Sequence, residues 1–123
     1  MKILLADDEP SHLQLSKLIL MRAGYTVTTC RDGEEVLGRL AVGERFDCFV
    51  IDLVMPYLDG YTLIERLRRS GVQAPILAIS ASVFEVNQQR ARESGANGFL
   101  GKPYRRVELL AAVREVVLAG EPM

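Results

Sequence analysis

The spacing of apolar positions alternates regularly along this chain. Residues 2–6 make a brief apolar run, and similar short runs return at 27–30, 47–51, 76–79 and 97–100. Between them, apolar residues recur three and four apart, the spacing of helices that bury one face. Leu15, Leu18 and Ile19 carry the first such stretch, which Pro10 opens and Gly24 stops. Asp32-Gly33 turns the chain into a second, striped by Val36, Leu37 and Leu40. Pro56 and Asp59-Gly60 punctuate a loop before a third. Leu63, Ile64 and Leu67 form its apolar face; Arg66, Arg68 and Arg69 are expected on its polar one. A fourth, over 83–94, is unusually polar through Asn87, Gln88, Gln89 and Arg90, and Gly95 ends it. The last, over 107–118, carries Leu109, Leu110, Ala112, Val113, Val116 and Val117, a stripe wider than one buried face needs. It reads as a generous core helix, or as one whose outer edge docks a partner or a second copy.

Five strand–helix units with short connections predict an α/β fold, a doubly wound parallel sheet with helices on both faces. The run 47–51 is nearly all apolar, as a strand covered on both faces must be. Right-handed crossovers leave few topologies, and the flavodoxin-like (βα)5 strand order 2-1-3-4-5 is the natural one. In any such sheet ligands bind beyond the carboxyl ends of the strands. The 123 residues, 49% of them apolar, suit one domain over 1–123 with one solid core. No repeat, linker or effector domain is expected within it.

A net charge of −1 and the lack of a basic stripe argue against direct binding of nucleic acid. No apolar run approaches the roughly 20 residues of a membrane span, and the opening residues lack the order of a signal peptide. A cytoplasmic location with no membrane partner is the expectation. Cys30 and Cys48 lie in apolar stretches without Cys-x-x-Cys spacing, so they read as small buried hydrophobes. His12, the only histidine, reads as a helix-surface residue rather than a phosphorelay group.

The chemistry lies at the predicted strand ends. The first strand finishes in Asp7-Asp8-Glu9, the third in Asp52, the fourth in Ser80 and the fifth near Lys102-Pro103. In the order 2-1-3-4-5 these strands are neighbours, so three carboxylates, a hydroxyl and an ammonium converge on one rim. An acid after a strand often only caps a helix, and Asp8 fits that bland role as well as a functional one. Asp52 does not, because it precedes a loop and has no helix to cap directly. Three carboxylates repel one another unless a cation neutralises them. Mg²⁺ suits a few carboxylates plus waters, and with Lys102 it balances their charge so that a phosphoryl group can approach.

The ordered set Asp7-Asp8, Asp52-Leu53-Val54-Met55-Pro56 with Asp59-Gly60, Ser80-Ala81, and Gly95-Ala96 through Phe99-Leu100 to Lys102-Pro103 resembles the receiver domains of response regulators in two-component systems, the chemotaxis regulators included. The likeness spans essentially the whole chain. It implies that Asp52 takes a phosphoryl group from the phosphohistidine of a sensor histidine kinase or phosphotransfer protein. It implies Mg²⁺ held by Asp8, Asp52 and the Val54 carbonyl, with Asp7 acting partly through water. It implies that Lys102 holds a phosphoryl oxygen and that Ser80 and Phe99 form the switch to the helix 4–strand 5–helix 5 face. A cis Lys102-Pro103 peptide is also implied. Such a domain promotes its own phosphorylation and dephosphorylation without being a turnover enzyme, and it signals to an effector domain or protein, or through a receiver dimer. Gly101 departs from the family's usual side chain there and is expected to loosen its loop. Glu9 has no assigned role.

Three rivals fit less well. Residues 95–102 superficially resemble a phosphate loop, but Ala96 stands at a required glycine and Pro103 replaces the Mg²⁺-binding hydroxyl. A haloacid-dehalogenase-like phosphatase needs a second acid two residues after its nucleophile, where this chain has Val54. A degenerate receiver serving only as a binding module usually lacks an acid, the acceptor or the lysine, and all are present here.

Overall fold

Five parallel strands form one sheet in the order β2-β1-β3-β4-β5. A computed structural model describes residues 1–119; positions 120–123 of the expected domain lie outside the described residues. The elements are β1 (Lys2–Ala6), α1 (Pro10–Arg22), β2 (Thr26–Cys30), α2 (Gly33–Ala41), β3 (Cys48–Asp52), α3 (Gly60–Arg69), β4 (Ile76–Ser80), α4 (Glu85–Ser94), β5 (Gly98–Gly101) and α5 (Arg106–Ala119).

The alternation of a strand's side chains splits the core into two layers. Leu4, Ala6, Phe49, Ile51, Ile76 and Ala78 face one layer, where they meet Val36 of α2, Leu63, Ile64 and Leu67 of α3, and Ala91 of α4. Ile3, Leu5, Cys48, Val50, Leu77 and Ile79 face the other, against Leu13 and Leu20 of α1 and Leu109, Val113 and Val116 of α5. Every residue of β3 is buried, as expected for the third strand, and so is every residue of β4. Each large apolar side chain so buried contributes roughly 1.5–3 kcal/mol, which fixes the strand ends in place.

Acidic side chains set where helices begin. Glu9 caps α1 by accepting the backbone N–H groups of Ser11 and His12, while Asp32 caps α2 and Asp59 caps α3. Glu9 therefore has a role, and the capping duty that Asp8 might have held falls to it. The start of α3 lies hard against the end of β3: a Cβ on Gly60 would sit 2.6 Å from both the Asp52 carbonyl oxygen and Leu53 Cα. Only glycine admits that approach.

Three expectations need correction. The fourth helix begins at Glu85, not 83, because Ser82 and Val83 belong to the loop and Phe84, the N-cap, offers no side-chain cap. Gly101 does not leave its loop slack; a Cβ there would collide with the Val83 side chain, which fills the space instead. Arg68 is no ordinary member of a polar face. Its guanidinium donates to the carbonyls of Val72, Ala74 and Gly95 and to Asn97 Oδ1, at 2.7–3.0 Å. It ties the ends of α3 and α4 to the start of β4. On α5, Leu109, Val113 and Val116 are buried, Leu110, Ala112 and Val117 are half-buried, and Leu118 is exposed.

Candidate functional site

The parallel sheet delivers Asp7, Asp52, Ser80 and Lys102 to one rim, at or just beyond the carboxyl ends of β1, β3, β4 and β5. Asp7, Asp52 and Ser80 are buried, while Asp8 is exposed at the edge. One carboxylate oxygen from each of Asp7, Asp8 and Asp52 lies within 4.8 Å of the other two.

Lys102 Nζ lies 2.5 Å from Asp52 Oδ2 and 3.3 Å from Asp7 Oδ2. The pairing of β5 with β4 brings it there, with Lys102 N–H donating to the Ser80 carbonyl at 2.9 Å; the Lys102-Pro103 peptide is cis. The other Asp52 oxygen, Oδ1, accepts the Val54 N–H at 2.9 Å. Val54, whose N–H is bonded to Asp52, is itself 70% exposed. Past it, Tyr57 adopts φ 69° in a tight turn closed by Leu58 N–H to the Pro56 carbonyl, with its ring exposed.

Burial pushes the Asp52 carboxyl above its ordinary pKa, and the charge of Asp7 adds to this; Lys102 and the Val54 N–H oppose the rise without cancelling it. Burial also pushes Asp7 upward, but the Glu9 N–H, His12 and Lys102 together carry it below the usual carboxylate value. Lys102 is pulled down by burial and raised further by Asp52 and Asp7, so its net shift is upward and it stays charged.

These residues fit a hard divalent cation. The donor set is all carboxylate, its oxygens are close enough to share one ion, and Asp8 keeps the cluster open to solvent. One ammonium cannot neutralise three acids, so a cation lowers the repulsion that a buried Asp52 feels.

Ser80 Oγ accepts the Ser82 N–H at 3.1 Å. Ser82 Oγ in turn bonds Asn87 of α4 at 3.0 Å, and Asn87 reaches the Tyr61 hydroxyl of α3 at 3.3 Å. Phe99 is half-buried against the α2–α3–α4 layer. Only Ala91 and Ser94 of α4 are buried, so its buried contacts are confined to its carboxyl half, while Asn87 holds the amino half by hydrogen bonds alone.

The expectation for His12 is overturned. Its Nδ1 lies 2.5 Å from Asp7 Oδ2, and its ring packs edge-to-face on Tyr104 with centroids 5.0 Å apart. It is half-buried because the first turn of α1 passes directly over the end of β1. Sequence spacing alone gives no signal of this. The cysteines behave as small hydrophobes: both are buried, and burial pushes Cys30 up to about 11 and Cys48 up to about 12. A groove of about 500 Å³ lies elsewhere, beside Leu40, Phe46 and Val72 near the amino ends of the strands. Arg45 is the one charged residue lining it, so the clustered chemistry belongs to the acidic rim.

Known proteins share this sequence pattern and fold. A family profile described as "Response regulator receiver domain" matches residues 3–114. The alkaline phosphatase synthesis transcriptional regulatory protein PhoP of Bacillus subtilis is 37% identical over 120 residues, covering 98% of this chain and 50% of that protein. Response regulator MprA of Mycobacterium avium is 34% identical over 122 residues, 99% of this chain and 53% of that one. This chain thus spans about half the length of these curated relatives. Among solved structures, the chemotaxis response regulator CheY4 of Vibrio cholerae matches with a TM-score of 0.87 and 33% identity, over 94% of this chain and 97% of that one. The receiver domain of the Francisella response regulator 1452 matches at 0.89 and 32%, over 98% of both chains.

Proposed function

Because this chain belongs to the response regulator receiver domain family, we propose that it is a phosphorylation-operated signalling switch whose acceptor is Asp52. The observation that carries this is the buried Asp52 carboxylate, paired with Lys102 and clustered with Asp7 and Asp8 at the end of a central strand. The donor is the phosphohistidine of a sensor histidine kinase or phosphotransfer protein. An Asp52 oxygen attacks phosphorus in line; the P–N bond breaks and its electron pair stays with the imidazole. Lys102 holds a phosphoryl oxygen as a compact positive charge. Asp8, Asp52 and the Val54 carbonyl would hold Mg²⁺, with Asp7 acting through water. When bound, the ion neutralises the acidic cluster and orients the incoming phosphoryl oxygens.

The phosphoryl charge draws the Ser80 hydroxyl away from the Ser82 N–H, which loosens the chain of bonds through Ser82 and Asn87 to α4. The Phe99 ring moves into the space that Ser80 leaves, and needs no hydrogen-bond partner there. The α4–β5–α5 face then reports the state to an effector domain, a separate protein or a second receiver. In this role the chain works in the cytoplasm, turns over no substrate and binds neither nucleic acid nor membrane itself. No helix among the described residues is long and apolar enough to cross a membrane.

The test is incubation with phosphoramidate and MgCl2, read by intact mass. One hydroxylamine-labile phosphoryl group per chain is expected, and none when EDTA replaces MgCl2. Absence of labelling with Mg²⁺ present would leave a receiver fold used only for binding.

A further inference from the structure

We propose that His12 is a positioning residue for this site: its ring donates to Asp7 and thereby leaves Lys102 committed to Asp52. This role rests on the Mg²⁺-dependent phosphorylation proposed above.

Asp7 Oδ2 is approached by His12 Nδ1 at 2.5 Å and by Lys102 Nζ at 3.3 Å, while Asp7 Oδ1 accepts the Glu9 N–H at 3.0 Å. An ionised carboxylate only accepts, so Nδ1 is the ring nitrogen that carries a hydrogen. One ammonium lies between two buried carboxylates and goes to the less satisfied of them. With two other donors on Asp7, Lys102 sits closer to Asp52, at 2.5 Å. That is the place from which it can hold a phosphoryl oxygen on Asp52.

The ring is itself held from two sides. The His12 backbone N–H donates to the Glu9 cap at 2.6 Å, which fixes the first turn of α1. Tyr104 packs edge-to-face on the imidazole, with its hydroxyl 2.7 Å from Ser16 Oγ on the same helix. Tyr104 follows Lys102 by two residues, so α1 braces both the acid and the loop that bears the ammonium. Partners that orient a metal-binding group in this way change metal affinity or activity by about 10–100-fold when removed.

Two substitutions separate donation from packing. H12F keeps a ring against Tyr104 and deletes the donor; H12N loses the ring and keeps an N–H one bond beyond Cγ. Mg²⁺ affinity is read in the unphosphorylated protein from amide shifts of residues 7–9 and 52–54 during MgCl2 titration, and the labelling rate from phosphoramidate. In H12F both should fall about tenfold, and H12N should restore native values. In the native protein the His12 Nδ1 resonance should be that of a protonated nitrogen. Native behaviour of H12F, equal impairment of H12N, or a native Nδ1 without hydrogen would each overturn the proposal. Native protein that binds no Mg²⁺ would instead remove the phosphorylation reading beneath it.

Discussion

Replacing Lys102 with methionine should make the stability of the fold depend steeply on pH and on Mg²⁺. The ammonium lies 2.5 Å from one buried carboxylate and 3.3 Å from another, and its side chain is only 21% exposed. At an effective dielectric of about 20 these contacts carry gross attractions of about 7 and 5 kcal/mol, most of which offsets the cost of burying the charges. Asp7 keeps the Glu9 N–H and His12; Asp52 keeps only the Val54 N–H. The variant can escape an unpaired Asp52 charge by taking up a proton. From the ordinary aspartate value of 3.8, that costs about 4 kcal/mol at pH 7 and about 1.6 kcal/mol at pH 5. These figures are ceilings on the destabilisation. The sign follows from linkage: a carboxyl raised in the folded state binds more protons there than in the unfolded chain. Stability therefore falls as pH rises from 3.8 toward the folded value. Urea unfolding of native and K102M protein at pH 5 and pH 7, each with EDTA or MgCl2, reads the difference. K102M should lose about 2–4 kcal/mol at pH 7 in EDTA, clearly less at pH 5, and recover part of the loss in MgCl2. An equal loss at both pH values, or no recovery with Mg²⁺, would refute the reasoning.

Further outcomes follow from the same geometry. S80A should still be phosphorylated but respond weakly, because the bond from the Ser82 N–H no longer reports the phosphoryl charge; amide shifts and hydrogen exchange over residues 83–100 check this. The phosphorylated state should be long-lived, since exposed Val54 offers no hydrogen bond to an attacking water and the Ser82 hydroxyl is engaged by Asn87. V54N should speed loss of phosphate about tenfold, equal to about 1.4 kcal/mol of barrier, when decay is followed after removal of the donor. Decay of the native phosphoprotein within seconds would contradict this.

The strand ends were legible because a parallel sheet needs apolar runs, and each run stops where a polar residue takes the last or next position on the rim. Asp7, Asp52 and Ser80 are such stops, and strand order alone brings them together. Lys102 was legible from its place after the fifth run. What the pattern could not convey is direction around a helix near its first turn. His12 lies five residues from Asp7, and whether its ring turns inward depends on the angle at which α1 crosses β1 and on Tyr104, 92 positions away. Arg68 was hidden for a similar reason: all but one of its acceptors are backbone carbonyls, which leave no mark in a sequence. The late start of α4 reflects a compromise between Val83, which fills the space beside Gly101, and the helix that periodicity alone would begin there.

Asp52 as phosphoacceptor is decided by exposing native protein and D52A in parallel to phosphoramidate with MgCl2 and comparing intact masses. Native protein should gain one phosphoryl group, a gain that EDTA present during loading prevents, and D52A should gain none while retaining its fold by circular dichroism. Labelling of D52A to the native extent would contradict the account.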